Sequence, residues 1–118
     1  MFQTLGSNQS YGLLNGTDTQ GVAPTGSTQG DAAQLTAAVS IVTGADGTKG
    51  VILPVPKVGR QVSVYSATAT NGLKVYPHSG GDINDGTSNA AITIEGKTRA
   101  DFLAVDTTTW AAIYTADS

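Results

Sequence analysis

Residues 59–86 read GRQVSVYSATATNGLKVYPHSGGDINDG, and this stretch decides the fold class. Val62 and Val64 alternate with Ser63 and Tyr65, the two-residue period of a half-buried strand. Asn71-Gly72 follows, a pair suited to the two positive-φ positions of a type I′ hairpin turn. Leu73–Tyr76 supplies a return strand, and Pro77 stops it because proline has no amide hydrogen to give a ladder. Beyond it, Gly80, Gly81, Asn84 and Gly86 suit tight bends.

The same grammar extends both ways. Upstream, Asp46-Gly47 sits within GADGTKG (44–50) as a second hairpin centre, followed by the apolar strand VILPVP (51–56). Pro54 and Pro56 place that segment at a sheet edge or a strand end. Further back, Val39, Ile41 and Val42 are strand formers, while Asp31 is placed to cap a single helical turn through Ala32–Ala37. Downstream, strands are expected over 91–94, 99–105 and 109–115, with turns at Glu95-Gly96-Lys97 and Asp106–Thr108. Seven or eight short strands at regular spacing predict a single all-β domain, a small jelly-roll-like sandwich or barrel over 31–118. No internal repeat stands out.

Composition supports this class. Charged residues are 13% of the 118, about half the usual share. Aromatic residues are few, so the core must come from Val, Ile, Leu and Ala, and so thin a core favours association with further copies. All six basic residues lie between Lys49 and Arg99, balanced from 49 onward by six acidic ones. Such scatter argues against nucleic-acid binding, which needs clustered cations to neutralise phosphates. No apolar run approaches the roughly 20 residues of a membrane span, and no signal-peptide pattern opens the chain. With no cysteine, disulfides and thiolate metal sites are excluded, which permits folding in a reducing cytoplasm.

Residues 1–30 differ in character. They are rich in Gly, Gln, Asn, Ser and Thr, with Phe2, Leu5, Tyr11, Leu13, Leu14 and Val22 as apolar anchors. This is too polar for a core and too apolar for a plain linker. It reads as an extended N-terminal arm that lays those anchors into grooves on a neighbour. The alternative is an N-terminal strand packed on its own domain.

Reactive constellations are poorly supported. His78, Asp82 and Asp85 share a loop, but DINDG (82–86) lacks the ligand spacing of a calcium loop, and its twelfth position is Thr93. A polar turn accounts for it. His78-Ser79 is not set in a nucleophile elbow, and the carboxylates Glu95 and Asp101 have no evident cleft. GADGTKG lacks the Ser or Thr and the helix that a phosphate loop requires. No catalytic residue, metal ligand or cofactor site is assigned, and the chain is expected not to be an enzyme. Trp110 and Tyr114 fall four apart on the last strand; core packing is the favoured reading, and a sugar-stacking platform with Tyr76 is the alternative.

Four segments carry a resemblance: GVILP (50–54), GRQVSVYSAT (59–68), LKVYPHSGGDINDG (73–86) and FLAVDTTTW (102–110). Over a little more than half its length the chain resembles small β-rich phage virion proteins of the capsid decoration, cement or head-fibre kind. The resemblance implies a structural protein on the capsid exterior of the virion, assembled in the host cytoplasm. Its expected partners are the major capsid protein or another virion protein, and it is expected to be a homo-oligomer with a trimer favoured. The alternative within the same resemblance is a head-fibre or tail-tip module that binds a host-surface glycan. No catalytic residue transfers with it.

Overall fold

The computed structural model describes residues 18–117. The described residues are all-β, with ten strands in two sheets and one 3-10 turn at Gln29–Asp31. The strands are β1 (Thr19–Val22), β2 (Ala33–Gln34), β3 (Val39–Val42), β4 (Gly50–Ile52), β5 (Gln61–Ser66), β6 (Leu73–Tyr76), β7 (Asp82–Ile83), β8 (Ile92–Ile94), β9 (Arg99–Ala104) and β10 (Thr109–Ile113). The first sheet has the order β1-β3-β5-β9-β10-β7, and the second has β2-β4-β6-β8.

Up to β6 the chain alternates between sheets, and each strand pairs in parallel with the one two places earlier. Thr19 pairs with Val39 and Val39 with Ser63 in the first sheet; Ala33 pairs with Val51 and Val51 with Val75 in the second. Residues 19–76 therefore form three solenoid-like coils. The remaining strands close one end: β8 runs antiparallel to β6, β9 to β5, and β10 to β9, with β7 parallel to β10.

This corrects the expected jelly-roll-like sandwich or barrel, and the reason lies in the turns. Neither Asn71 nor Gly72 has positive φ, so no type I′ hairpin forms there. The segment turns the corner from one sheet to the other. Gly72 keeps that corner close to its neighbours: a Cβ on it would stand 2.6 Å from Asp117 Oδ2 and from Thr93 Cγ2, so those side chains would have to shift. The corner at Asp46-Gly47 likewise joins β3 and β4, which lie in different sheets. Successive corners are stapled to one another. Thr68 Oγ1 accepts the amides of Gly44 (3.2 Å) and Ala45 (3.1 Å), and Asn71 Nδ2 donates to Ala45 O. The turn expected at Asp106–Thr108 does form, and it joins the antiparallel strands β9 and β10.

One other expectation changes, and one of the two alternatives for the prolines is selected. The residues after Asp31 do not make a helical turn, because Ala33–Gln34 pairs with β4 and Leu35 N–H donates to Ile52 O at 2.9 Å. Pro54 follows the end of β4, which runs between β2 and β6, so the prolines mark a strand end and not an edge.

Residues 19–30, assigned to the arm from sequence, belong to the coils: β1 pairs with β3, and Thr25 bridges Gly50. The Gln20 side chain turns inward, and its Oε1 accepts the amides of Thr36 and Ala37, both at 2.8 Å. The arm anchors Phe2, Leu5, Tyr11, Leu13 and Leu14 lie outside the described residues.

Between the sheets the expected alternation holds. Val62 and Val64 of β5 face Phe102 and Ala100 of β9 in register, all buried, and Leu53, Leu73, Val75 and Ile94 meet them from the second sheet. The outward residues of β5, β9 and β10 are left for the surface.

Candidate interaction surface

The outer face of the first sheet is set by register. Gln61, Leu103 and Ala111 form one row across β5, β9 and β10; Ser63, Asp101 and Ile113 form the next; Tyr65 and Arg99 form a third. β3 extends the last two rows with Val39 and Ile41. Leu103 is exposed, and Ile113 protrudes with 81% of its surface accessible. Beside it the small Ala111 and Ser63 leave a depression of about 500 Å³, walled by Gln61, Arg99, Asp101 and Leu103.

Two charges stand on this face. Arg99 Nε lies 3.3 Å from Asp101 Oδ1, with the side chains 68% and 46% exposed. Ser63 Oγ donates to the same carboxylate oxygen at 2.8 Å. A pair so open to water contributes little to stability. The Ser63 bond fixes the carboxylate on a face whose outward residues on β3, β5, β9 and β10 are, apart from this pair, uncharged.

The apolar character continues past the end of β9. Val105 is exposed, and the loop carrying exposed Val55 and Val58 is fastened alongside: Gly59 N–H donates to Ala104 O at 2.8 Å, and Ala104 N–H to Arg60 O at 2.9 Å. Sequence reading missed this strip, because Leu103, Val105 and Ile113 look like core residues until the register assigns them a face.

The aromatic residues are placed otherwise. Trp110 is 0% exposed and sits in the core opposite Ala104 and Ile83, so it offers no sugar-stacking face. Tyr76 is nearly buried: its ring covers Gly50, and its hydroxyl donates to Ser27 O at 3.0 Å. Tyr114 packs partly buried against the core. The three do not form a platform.

The loop at 78–90 is held by a side-chain hub. Asn89 Oδ1 accepts from Gly80 N–H at 2.6 Å and from Gln29 Nε2 at 3.1 Å. The His78 ring lies so close over Gly81 that a Cβ there would collide with it. Burial holds His78 below the ordinary histidine value of 6.5, with nearby Asp82 opposing the shift. Asp82 Oδ1 accepts from Thr109 Oγ1, while Asp82 Oδ2 and His78 Nδ1 are buried without hydrogen-bond partners. Among the described residues no three His, Cys, Asp or Glu side chains converge on a common point, and no helix is long and apolar enough to cross a membrane.

No protein-family model matches the chain, and no curated protein matches it in sequence.

Proposed function

We propose that this protein is a non-catalytic virion component, a capsid decoration or cement protein that binds the assembled shell from outside. Its partner is the major capsid protein or another virion protein, reached through the N-terminal segment and the exposed strip of the β core. One observation carries the reading: a small fold with its core enclosed still leaves Val55, Val58, Val105, Leu103 and Ile113 in water, as a surface built for a protein partner does. The quoted segments that resemble virion proteins give the partner its identity. Copies repeated over a shell, three at a site of three-fold symmetry, turn weak contacts into tight attachment.

The test is co-sedimentation of the full-length protein with particles stripped of it. Val58→Asp, and separately Leu13→Asp with Leu14→Asp, should each weaken attachment by at least about tenfold, because a charge is placed where apolar surface is buried. Unchanged attachment of both variants refutes the proposal.

A further inference from the structure

The first coil of the stack has an open end. Val22 and Ala33 are its inward apolar residues, and both stay partly exposed, whereas Val42 and Val51, beside them in register, are fully buried. Among the described residues β2 pairs with β4 on one side and with nothing on the other. Leu35 N–H bonds to Ile52 O, so by the alternation of a parallel ladder the amide and carbonyl of Gln34 point away from β4, to the free edge. Stacked coils need a cap at such an end, and an unpaired edge is a template for a further strand.

The length of the coils selects the occupant. Paired residues of the parallel coil strands lie 18 to 24 positions apart in the chain: Ala33 meets Val51, Thr19 meets Val39, and Val51 meets Val75. One coil ahead of β2 the sequence reads Tyr11-Gly12-Leu13-Leu14-Asn15-Gly16, an apolar pair between turn residues. The 20-position register of β1 on β3 already extends back to Asp18, whose carbonyl accepts Val39 N–H at 3.1 Å and whose Oδ2 accepts Ala38 N–H at 2.9 Å. Carried further back, it sets Leu13 beside Ala33 and Leu14 beside Gln34. Leu14 stands five positions ahead of Thr19, as Gln34 stands five ahead of Val39, so the corner needed has the same length as the one joining β2 to β3.

We propose that residues 11–15 lie parallel to β2 of their own chain as a fifth strand of the second sheet, Leu13 covering Ala33 and Leu13 O accepting the Gln34 amide. The main-chain bonds come from strand addition. The root of the N-terminal segment is then part of the fold, and residues 1–10, with Phe2 and Leu5, are left for a partner. The contact is made within one chain and stands independently of the virion reading.

Cysteine cross-linking and hydrogen exchange of the full-length protein test it. The chain has no cysteine of its own, so Leu14→Cys with Gln34→Cys makes an isolated pair. Neighbouring strands hold paired Cα atoms about 4.8 Å apart, within disulfide reach. Mild oxidation should close this disulfide within single chains. Gln9→Cys with Gln34→Cys should stay open, because a strand places those positions roughly 16 Å apart along its length. In the parent, the Gln34 amide should exchange at least about tenfold more slowly than in Asn15→Pro, which removes the amide that donates to Gln34 O. Disulfide-linked dimers from the first pair would make a second copy the occupant and overturn the proposal. Equal closure of both pairs, or a Gln34 amide that exchanges at the same rate in the parent and in Asn15→Pro, also overturns it. Loss of particle attachment with both readouts as expected would bear on the virion reading and not on this contact.

Discussion

Asp46 and Asp106 do the same local task at two corners. Asp46 Oδ1 accepts the amides of Thr48 and Lys49 and the Thr48 hydroxyl, and Asp106 Oδ1 accepts the amides of Thr108 and Thr109. Each carboxylate replaces a backbone acceptor that the turn lacks. Hydrogen bonds to the charged form lower the pKa: the Thr48 amide, the Thr48 hydroxyl and the Lys49 amide bring Asp46 from 3.8 to about 2, and Asp106 is lowered for like reasons. Both groups ionise more readily in the folded chain than in the unfolded one, so their contribution is present above about pH 4. It is lost as pH falls through the folded values. Thermal unfolding of Asp46→Asn should therefore show a smaller drop in melting temperature between pH 4 and about 2 than the parent shows. An identical acid profile for the two would exclude Asp46 as a contributor. His78 acts in the opposite region: its neutral form is favoured in the fold, so what it contributes is present above pH 6.5 and declines below it.

At the scale of the element, the two flanks of the first sheet end differently. β7 pairs with the first half of β10 alone, at Thr109 and Trp110, and beyond them a side chain takes over the ladder. Asn84, at φ 56°, accepts the Ala112 amide on Oδ1 at 2.8 Å and donates through Nδ2 to Ala112 O at 3.2 Å. The amide group thus stands in for a backbone peptide and closes the edge to another strand. Asn84→Gly keeps the backbone conformation and removes the clamp. Both bonds are exposed to solvent, so the expected loss is about 0.5–1.5 kcal/mol, the net worth of an ordinary hydrogen bond, read by urea denaturation, and a change within error would show that water replaces the clamp. The elements themselves were largely legible, since β5, β6, β8, β9 and β10 fall where alternation and turn residues put them. β1 and β2 were not legible. Both are short, and TQGV and AQ carry no periodic apolar signal; parallel pairing with β3 and β4 makes them strands.

For the molecule as a whole, stability should run along the stack of coils. In a solenoid each coil is held by its neighbours, so an end coil has one stabilising interface and an inner coil two. Among the described residues β1 pairs with β3 alone, whereas β5 lies between β3 and β9 with Val62 and Val64 in the core. Amide hydrogen exchange should accordingly be slowest in β5 and β9 and faster in β1, in a gradient through β3. Equal protection of β1 and β5 would show that the coils unfold as one unit, or that β1 has a further partner. The same arrangement explains why no repeat is evident in the sequence. The coils repeat in backbone geometry, while their corners differ in length and are fastened by different side chains, Gln20 at one and Thr68 at another.

What the amino-acid sequence determined by itself is the local part: strand class, the inward set led by Val62, Val64 and Phe102, the stops at proline, and the scarcity of charge that leaves an apolar surface. These follow from a period of two and from the chemistry of single residues, and both act within a few positions. Tertiary structure alone decided which strands meet. It turned Asn71-Gly72 from a hairpin into a corner and set Arg99, Asp101, Leu103 and Ile113 on one outer face. Those outcomes depend on partners 20 or more residues away, as when Thr19 pairs with Val39 and Val39 with Ser63. The physical reason is that a strand's own pattern specifies which side chains point inward, while its backbone groups accept any neighbour that the corners bring alongside.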